Sequence, residues 1–270
     1  MKWHDAGVPV ALLLLLGSRA SWALPSYSRL VKQTYGYTVS CAICHTKEGG
    51  SAMNAYGKDF QRNGLSLLAL SRIAPRDSDK DGIHNLQEIQ AKSNPGDPLS
   101  VPDTPGEWLT HIDEAAIPFT ELKEGFSDAE GFVALEGTLK PDQIQDIESR
   151  LGSPLLDEDK VPIFYFAVKT VGGKKVKYGV VQFIRGDNVT LAVGVNLKGE
   201  IASVKVVTAK DKSLSKETLF FNQFLGKTVG DAIRTGTDIQ PMGEKKSLSD
   251  EISRLIKKGL LEIYAVFSKK

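Results

Sequence analysis

The sequence predicts an α+β chain: a small all-α unit first, then an α+β unit built on an antiparallel sheet. Three observations predict it. Four β-branched and aromatic runs, at 162–171, 175–184, 189–197 and 201–207, are separated only by Gly172-Gly173, Gly186-Asp187-Asn188 and Lys198-Gly199-Glu200. Connections that short join antiparallel neighbours, because parallel strands need long crossovers. Helix-period segments at 141–151, 216–225 and 248–267 flank these runs. Finally, no strand pattern precedes Tyr35-Gly36-Tyr37, and the two prolines and glycine of Pro102-Asp103-Thr104-Pro105-Gly106 make a natural linker between the halves. With 270 residues, 41% of them hydrophobic and 25% charged, the chain can fill two small cores and has no disordered composition.

Residues 1–23 read as an export signal: Lys2 at the start, a short apolar run from Val8 to Leu16, then small residues flanking the cut in Ser21-Trp22-Ala23. The run is shorter than the roughly 20 residues of a bilayer span, and no later segment is long and apolar enough, so the mature chain is expected to have no membrane span. Losing Lys2, Asp5 and Arg19 with the signal leaves equal numbers of acidic and basic side chains. That balance argues against nucleic acid as a partner, since nucleic acid selects a basic face. The expected location is periplasmic or otherwise exported.

The two cysteines of the chain fall in Cys41-Ala42-Ile43-Cys44-His45, the attachment spacing for a c-type haem. Residues three apart on a helical turn share a face, so both sulfurs can reach the two vinyl groups of one porphyrin. The next residue then brings an imidazole to the iron. Cys41 and Cys44 are expected to form thioethers and His45 to be the proximal ligand. A redox dithiol would sit at a helix start after a strand, and a zinc site wants four ligands. The sixth iron position is left open: Met53 and His84 are candidates, Met242 and His111 are further possibilities, and five-coordinate iron is another.

Asp77-Ser78-Asp79-Lys80-Asp81-Gly82, then five residues, then Glu88, matches the twelve-residue EF-hand loop. Carboxylates of Asp77, Asp79 and Asp81 would face a hard cation, Gly82 would take the sharp turn, and the Ile83 carbonyl would supply an oxygen. Glu88 would close the site with two more, with Asn85 at the position often bridged by water. Pro75 interrupts any long helix before the loop, and a short helix at 86–92 follows it. A single loop fits a structural Ca2+ better than a sensor.

Ser26-Tyr27, Cys41–Thr46, Asn54-Ala55-Tyr56-Gly57 through Phe60, the 77–88 loop and the Pro95-Gly96-Asp97-Pro98 exit together resemble a family of small exported bacterial monohaem cytochromes. The resemblance spans residues 26–100. It implies a cytochrome c-like fold and electron transfer, and it implies leucine rather than a ligand at the place of Met53.

In the second half, Pro141 to Leu151 reads as a helix, with proline near its start and Gly152 as its stop. A short helix is expected at 107–116. The run from Leu191 to Ile201, then Val204–Val207, Phe221-Asn222-Gln223-Phe224-Leu225-Gly226-Lys227 and Asp231, resembles the extracytoplasmic FMN-binding domain of sodium-pumping quinone reductases and of regulators of nitrous oxide respiration. That family esterifies a threonine to the FMN phosphate. Here Gly243 stands at the motif glycine and Lys245 replaces the threonine, while Thr235-Gly236-Thr237 comes too early. Lysine forms no phosphoester, which leaves FMN without its covalent anchor.

The expected organisation is therefore a signal at 1–23, a haem c domain at 24–101, a linker with a short helix at 102–124, and an FMN-binding-like domain at 125–270. The expected function is electron carriage between periplasmic or membrane redox proteins, without a dedicated acid, base or nucleophile motif for catalysis. A haem-based sensory or accessory protein is the alternative. Lys174, Lys175 and Lys177, and Lys210, Lys212 and Lys216, form small basic clusters suited to hairpin tips or to docking an acidic partner.

Overall fold

A computed structural model describes residues 25–47, 51–109 and 119–268. The export signal, His111 and most of the helix expected at 107–116 lie outside these residues. The chain is α+β, with helices in its N-terminal half and an antiparallel five-stranded sheet in its C-terminal half.

Helices α1 (Pro25–Tyr35), α2 (Ala55–Arg62), α3 (Leu67–Ile73) and α4 (Asn85–Ala91) make the first half. Asn54 and Ser66 start α2 and α3 by accepting the N–H of Gly57 and Ala69 on their side-chain oxygens, satisfying donors a helix start leaves free. Leu30, Val31, Ile43, Tyr56, Phe60, Leu70, Ile73 and Ile89 bury their side chains against one another. None of these helices exceeds 11 residues, so their stability comes from this shared core, since isolated helices this short are marginal.

In the second half, α5 (Phe119–Gly125) precedes β1 (Gly131–Glu136), α6 (Pro141–Leu151), β2 (Ile163–Val171), β3 (Lys174–Arg185), β4 (Val189–Asn196), β5 (Ile201–Ala209), α7 (Thr218–Asn222) and α8 (Lys246–Phe267). Strand order equals chain order, and every pairing is antiparallel. Gly172 and Gly173 both have positive φ, 57° and 77°, the two-residue turn whose twist matches a hairpin. Alternation sorts the side chains. Phe164, Val180, Leu191, Val193 and Val195 pack with Ile252, Leu255, Ile256 and Leu260 of α8 on one face. Tyr165, Ala167, Val181 and Ala192 pack with Leu122 and Phe126 on the other. Phe126 lies so close to the sheet that a Cβ on Gly179 would stand 2.3 Å from its ring.

Two expectations change. A single helix at 216–225 is instead a 3-10 turn at Leu214–Lys216 and a five-residue α7, because Glu217 leaves helical geometry at ψ 52°. Strand β1 is additional to the four expected strands. It is a short edge strand with four consecutive exposed residues after Phe132, so it lacks the alternation that reveals a half-buried strand.

The halves are clamped together. Tyr27 of α1 donates to Glu158 at 3.1 Å and lies 5.3 Å beneath the Arg185 guanidinium, which itself pairs with Glu158 at 2.8 Å. Arg29 pairs with Glu136 at 3.4 Å, and the Leu67 N–H donates to Asp157 at 3.0 Å. Val161 enters the core of the first half. Among the described residues no helix is long and apolar enough to cross a membrane.

Candidate haem-attachment site and cation loop

Cys41-Ala42-Ile43 forms a single 3-10 turn, capped by Ser40, whose hydroxyl accepts the Ala42 N–H. Cys41 opens this turn and Cys44 caps it, its N–H donating to the Cys41 carbonyl at 3.2 Å. Asn54 braces the turn from below: its amide nitrogen donates to the carbonyls of Ala42 at 2.9 Å and Ile43 at 3.0 Å, while its oxygen accepts from Gly57. Asn94, just past α4, donates to Ala42 at 3.0 Å. Neither asparagine carries a local pattern that announces this role.

Helix α2 approaches the turn so closely that a Cβ on Gly57 would stand 2.2 Å from the Cys44 carbonyl oxygen. We expect Gly57→Ala to destabilise the fold by about 1–3 kcal/mol, the usual cost of overpacking, and to lower the thermal midpoint measured by circular dichroism. An unchanged midpoint would refute this close packing.

His45 is buried, and its Nδ1 lies 2.7 Å from the Ser51 carbonyl oxygen. A carbonyl only accepts, so Nδ1 carries the proton and Nε2 keeps its lone pair. Metal-bound histidines are held in this way by the partner of the second ring nitrogen. The thiols and the imidazole do not converge on a point: among the described residues, the one group of His, Cys or carboxylates clustered tightly enough to hold an ion directly is Asp77, Asp79 and Asp81. A tetrahedral zinc site needs convergence, whereas thioethers sit at a porphyrin's rim and the imidazole at its centre. Burial, and then the neighbouring Cys41, push the Cys44 thiol up to about 12, the opposite of a reactive dithiol's thiolate. The donor set thus fits a covalently attached haem.

The candidates for the sixth ligand are placed as follows. Met53 pairs with His45 across an antiparallel bridge, so its side chain leaves the backbone on the same side as the imidazole. His84 is exposed at the start of α4, and Met242 is buried in the core of the second half.

The loop at 77–88 folds around its own carboxylates. Asp77 accepts the N–H groups of Lys80 and Gly82, Asp79 that of Asp81, and Asp81 that of Ile83, at 2.7–3.3 Å. Lys80 and Gly82 take positive φ, 69° and 96°. Oxygens of Asp77, Asp79 and Asp81 lie within 4.8 Å of one another. Glu88, in the first turn of α4, is 0% exposed, and neither of its oxygens has a hydrogen-bond partner. One oxygen each of Asp79 and Asp81 is equally orphaned. Burial and then Asp79, Asp81 and Asp77 push Glu88 up to about 8, while burial and Asp81 push Asp79 to about 6. Four buried, unpartnered carboxylate oxygens facing mutual repulsion are what a hard cation would relieve. Asn85 instead turns inward, accepting from Ser78 and donating to the Ile73 carbonyl at 2.7 Å, which ties the loop to α3.

The ammonium of Lys245, the residue that the FMN-binding resemblance sets in place of the threonine, is held by Asp211 at 2.9 Å and Glu217 at 3.3 Å. Its charge is paired with carboxylates of this chain, and a lysine there forms no phosphoester. Comparisons with protein-family models, with curated proteins and with solved structures find no match for the chain.

Proposed function

We propose that this protein is an exported c-type cytochrome that carries single electrons through one haem held by Cys41, Cys44 and His45, with a structural Ca2+ in the 77–88 loop. The observation that carries the reading is the His45 ring, buried and fixed by the Ser51 carbonyl so that Nε2 is the free lone pair, beside two thiols on one short turn. A bound haem would supply reversible one-electron chemistry at iron. The chain's own contribution is positional. Ser40, Asn54 and Asn94 hold the turn, Gly57 lets α2 support it from beneath, and the buried core of α1–α4 limits reorganisation. The cation loop is coupled to this core, because Asn85 and the following Ile89 anchor it between α3 and α4.

The second half serves this reading as a docking and covering module, and Lys245, engaged by Asp211 and Glu217, offers a flavin no covalent anchor. The basic tip of the β2–β3 hairpin, Lys174, Lys175 and Lys177, is exposed and suits an acidic redox partner. A ligand-sensing role is the second reading, favoured by Met53 lying on the His45 side. Absorption spectroscopy of protein produced with haem-attachment machinery decides between them. A haem spectrum that cycles reversibly and ignores carbon monoxide supports the carrier; carbon monoxide binding to the reduced form supports the sensor. No haem absorbance would overturn both.

A further inference from the structure

Two asparagines from different segments meet at one carbonyl of the attachment turn. Ala42 accepts the side-chain amide of Asn54 at 2.9 Å and that of Asn94 at 3.0 Å, one for each lone pair of a carbonyl oxygen. Asn54 starts α2, with its side-chain oxygen on the Gly57 N–H at 2.9 Å. Asn94 lies just past the end of α4. The two segments also touch each other: a Cβ on Gly96 would stand 2.3 Å from the Asn54 amide nitrogen. Ala42 is therefore clamped between α2 and the chain leaving α4.

Opposite ends of the cation loop hold these two segments. At its start, the Ser78 hydroxyl donates to Asp59 of α2 at 3.0 Å, and Arg76, the residue before Asp77, pairs with the same side chain at 3.9 Å. At its end, Glu88 lies in α4, 0% exposed, with both carboxylate oxygens unpartnered. The Glu88 carbonyl accepts the Ser93 N–H at 2.9 Å and the Ser93 hydroxyl at 3.3 Å, and Asn94 is the next residue. Glu88 thus joins the loop to the segment that carries Asn94.

These ties make the spacing of α2 and α4 depend on the loop. Without a cation, the oxygens of Asp77, Asp79 and Asp81, within 4.8 Å of one another, repel, and the orphaned oxygens of Glu88 gain nothing by staying buried. A hard cation reverses both effects. It takes oxygens from the start of the loop and from Glu88 together, which fixes α4 against α2. Asn54 and Asn94 then reach Ala42 at the same time.

We propose that Ca2+ in the 77–88 loop orders the haem-attachment turn, by holding α2 and α4 at the spacing where Asn54 and Asn94 clamp Ala42. This rests on the cation reading of that loop. The turn's own amide hydrogens report its order. Those of Ala42, Ile43, Cys44 and His45 bond to the Ser40 hydroxyl and to the carbonyls of Ser40 and Cys41 at 3.0–3.2 Å, so they exchange with solvent when the turn opens. Helix α1 shares the same core but is anchored to the second half through Tyr27 and Arg29, which makes it an internal reference.

Hydrogen exchange of the full exported chain, read by mass spectrometry with excess Ca2+ and with chelator, tests the coupling, beside calorimetry of Ca2+ binding. Ca2+ is expected to slow exchange over residues 41–46 on the order of tenfold, and over α1 by much less. Asn94→Ala should still bind Ca2+, because Asn94 lies outside the loop, and should lose most of the slowing at 41–46. The variant should fold: Ala42 keeps Asn54 as a donor, and the Gly96 N–H that Asn94 also held belongs to a half-buried residue. Equal slowing of α1 and the turn would mean general stabilisation and would overturn the proposal without any variant. Ca2+ binding that leaves 41–46 unchanged, or slowing that survives in Asn94→Ala, would overturn it too. Calorimetry that finds no Ca2+ binding would instead sink the cation reading, and the coupling with it. Exchange is read on the polypeptide, so the test stands whether or not haem is attached.

Discussion

Replacing Cys41 and Cys44 together with alanine is expected to abolish covalent haem attachment, with complete loss of the haem absorbance that survives denaturation. Alanine is the informative choice, because it removes the sulfur without adding a polar hydroxyl to the half-buried Cys44 position. Single replacements leave one sulfur to form one thioether, so they should reduce the yield and alter the spectrum without removing all of it. His45→Ala acts differently. It leaves both sulfurs and removes the nitrogen that the Ser51 carbonyl orients, so the macrocycle should remain attached with altered axial ligation. Electronic spectra of acid-acetone-treated samples separate these cases. A double alanine variant that kept its haem through denaturation would refute the assignment of the thiols.

Glu88→Gln should weaken Ca2+ binding on the order of 100-fold, the equivalent of about 3 kcal/mol for removing one member of a buried charge pair. The opposite sign is expected without the cation. In the empty loop Glu88 and Asp79 hold their protons up to about 8 and 6, well above their ordinary values. An unfolded chain releases those protons near pH 4–5, so the cation-free protein loses stability as pH rises from that range towards 8. Glu88→Gln removes the larger part of this penalty. Calorimetry should therefore find the variant less stable than wild type with excess Ca2+, and equally or more stable with chelator at pH 8. Binding expels the same protons, so wild-type affinity should rise with pH between about 6 and 8. Melting curves indifferent to chelator would leave the loop an acidic turn and nothing more.

Much of the fold is legible in the sequence. Four strands and the 141–151 helix were readable because their apolar periods and turn residues agree with the tertiary packing. The clustering of Asp77, Asp79 and Asp81 is legible because ionic chemistry fixes residue type and spacing. What was hidden depends on partners far apart in sequence. Asn94 bonds Ala42 across 52 positions, and Gln182 meets Glu262 across 80, separations no local pattern encodes. Strand β1 escaped because an exposed edge strand need not alternate. The helix expected at 216–225 was interrupted at Glu217, where packing of Phe220, Phe221 and Phe224 into the sheet core outweighs helical period.

The central claim is that one porphyrin is bonded to this chain through both thiols. Intact-mass spectrometry, with thiol counting after export in a host that attaches haem, tests it most directly. The account predicts a mass increased by one haem, no titratable thiol, and both modified sulfurs on the peptide carrying Cys41 and Cys44. An unmodified mass with those two cysteines free, or joined to each other, would contradict it.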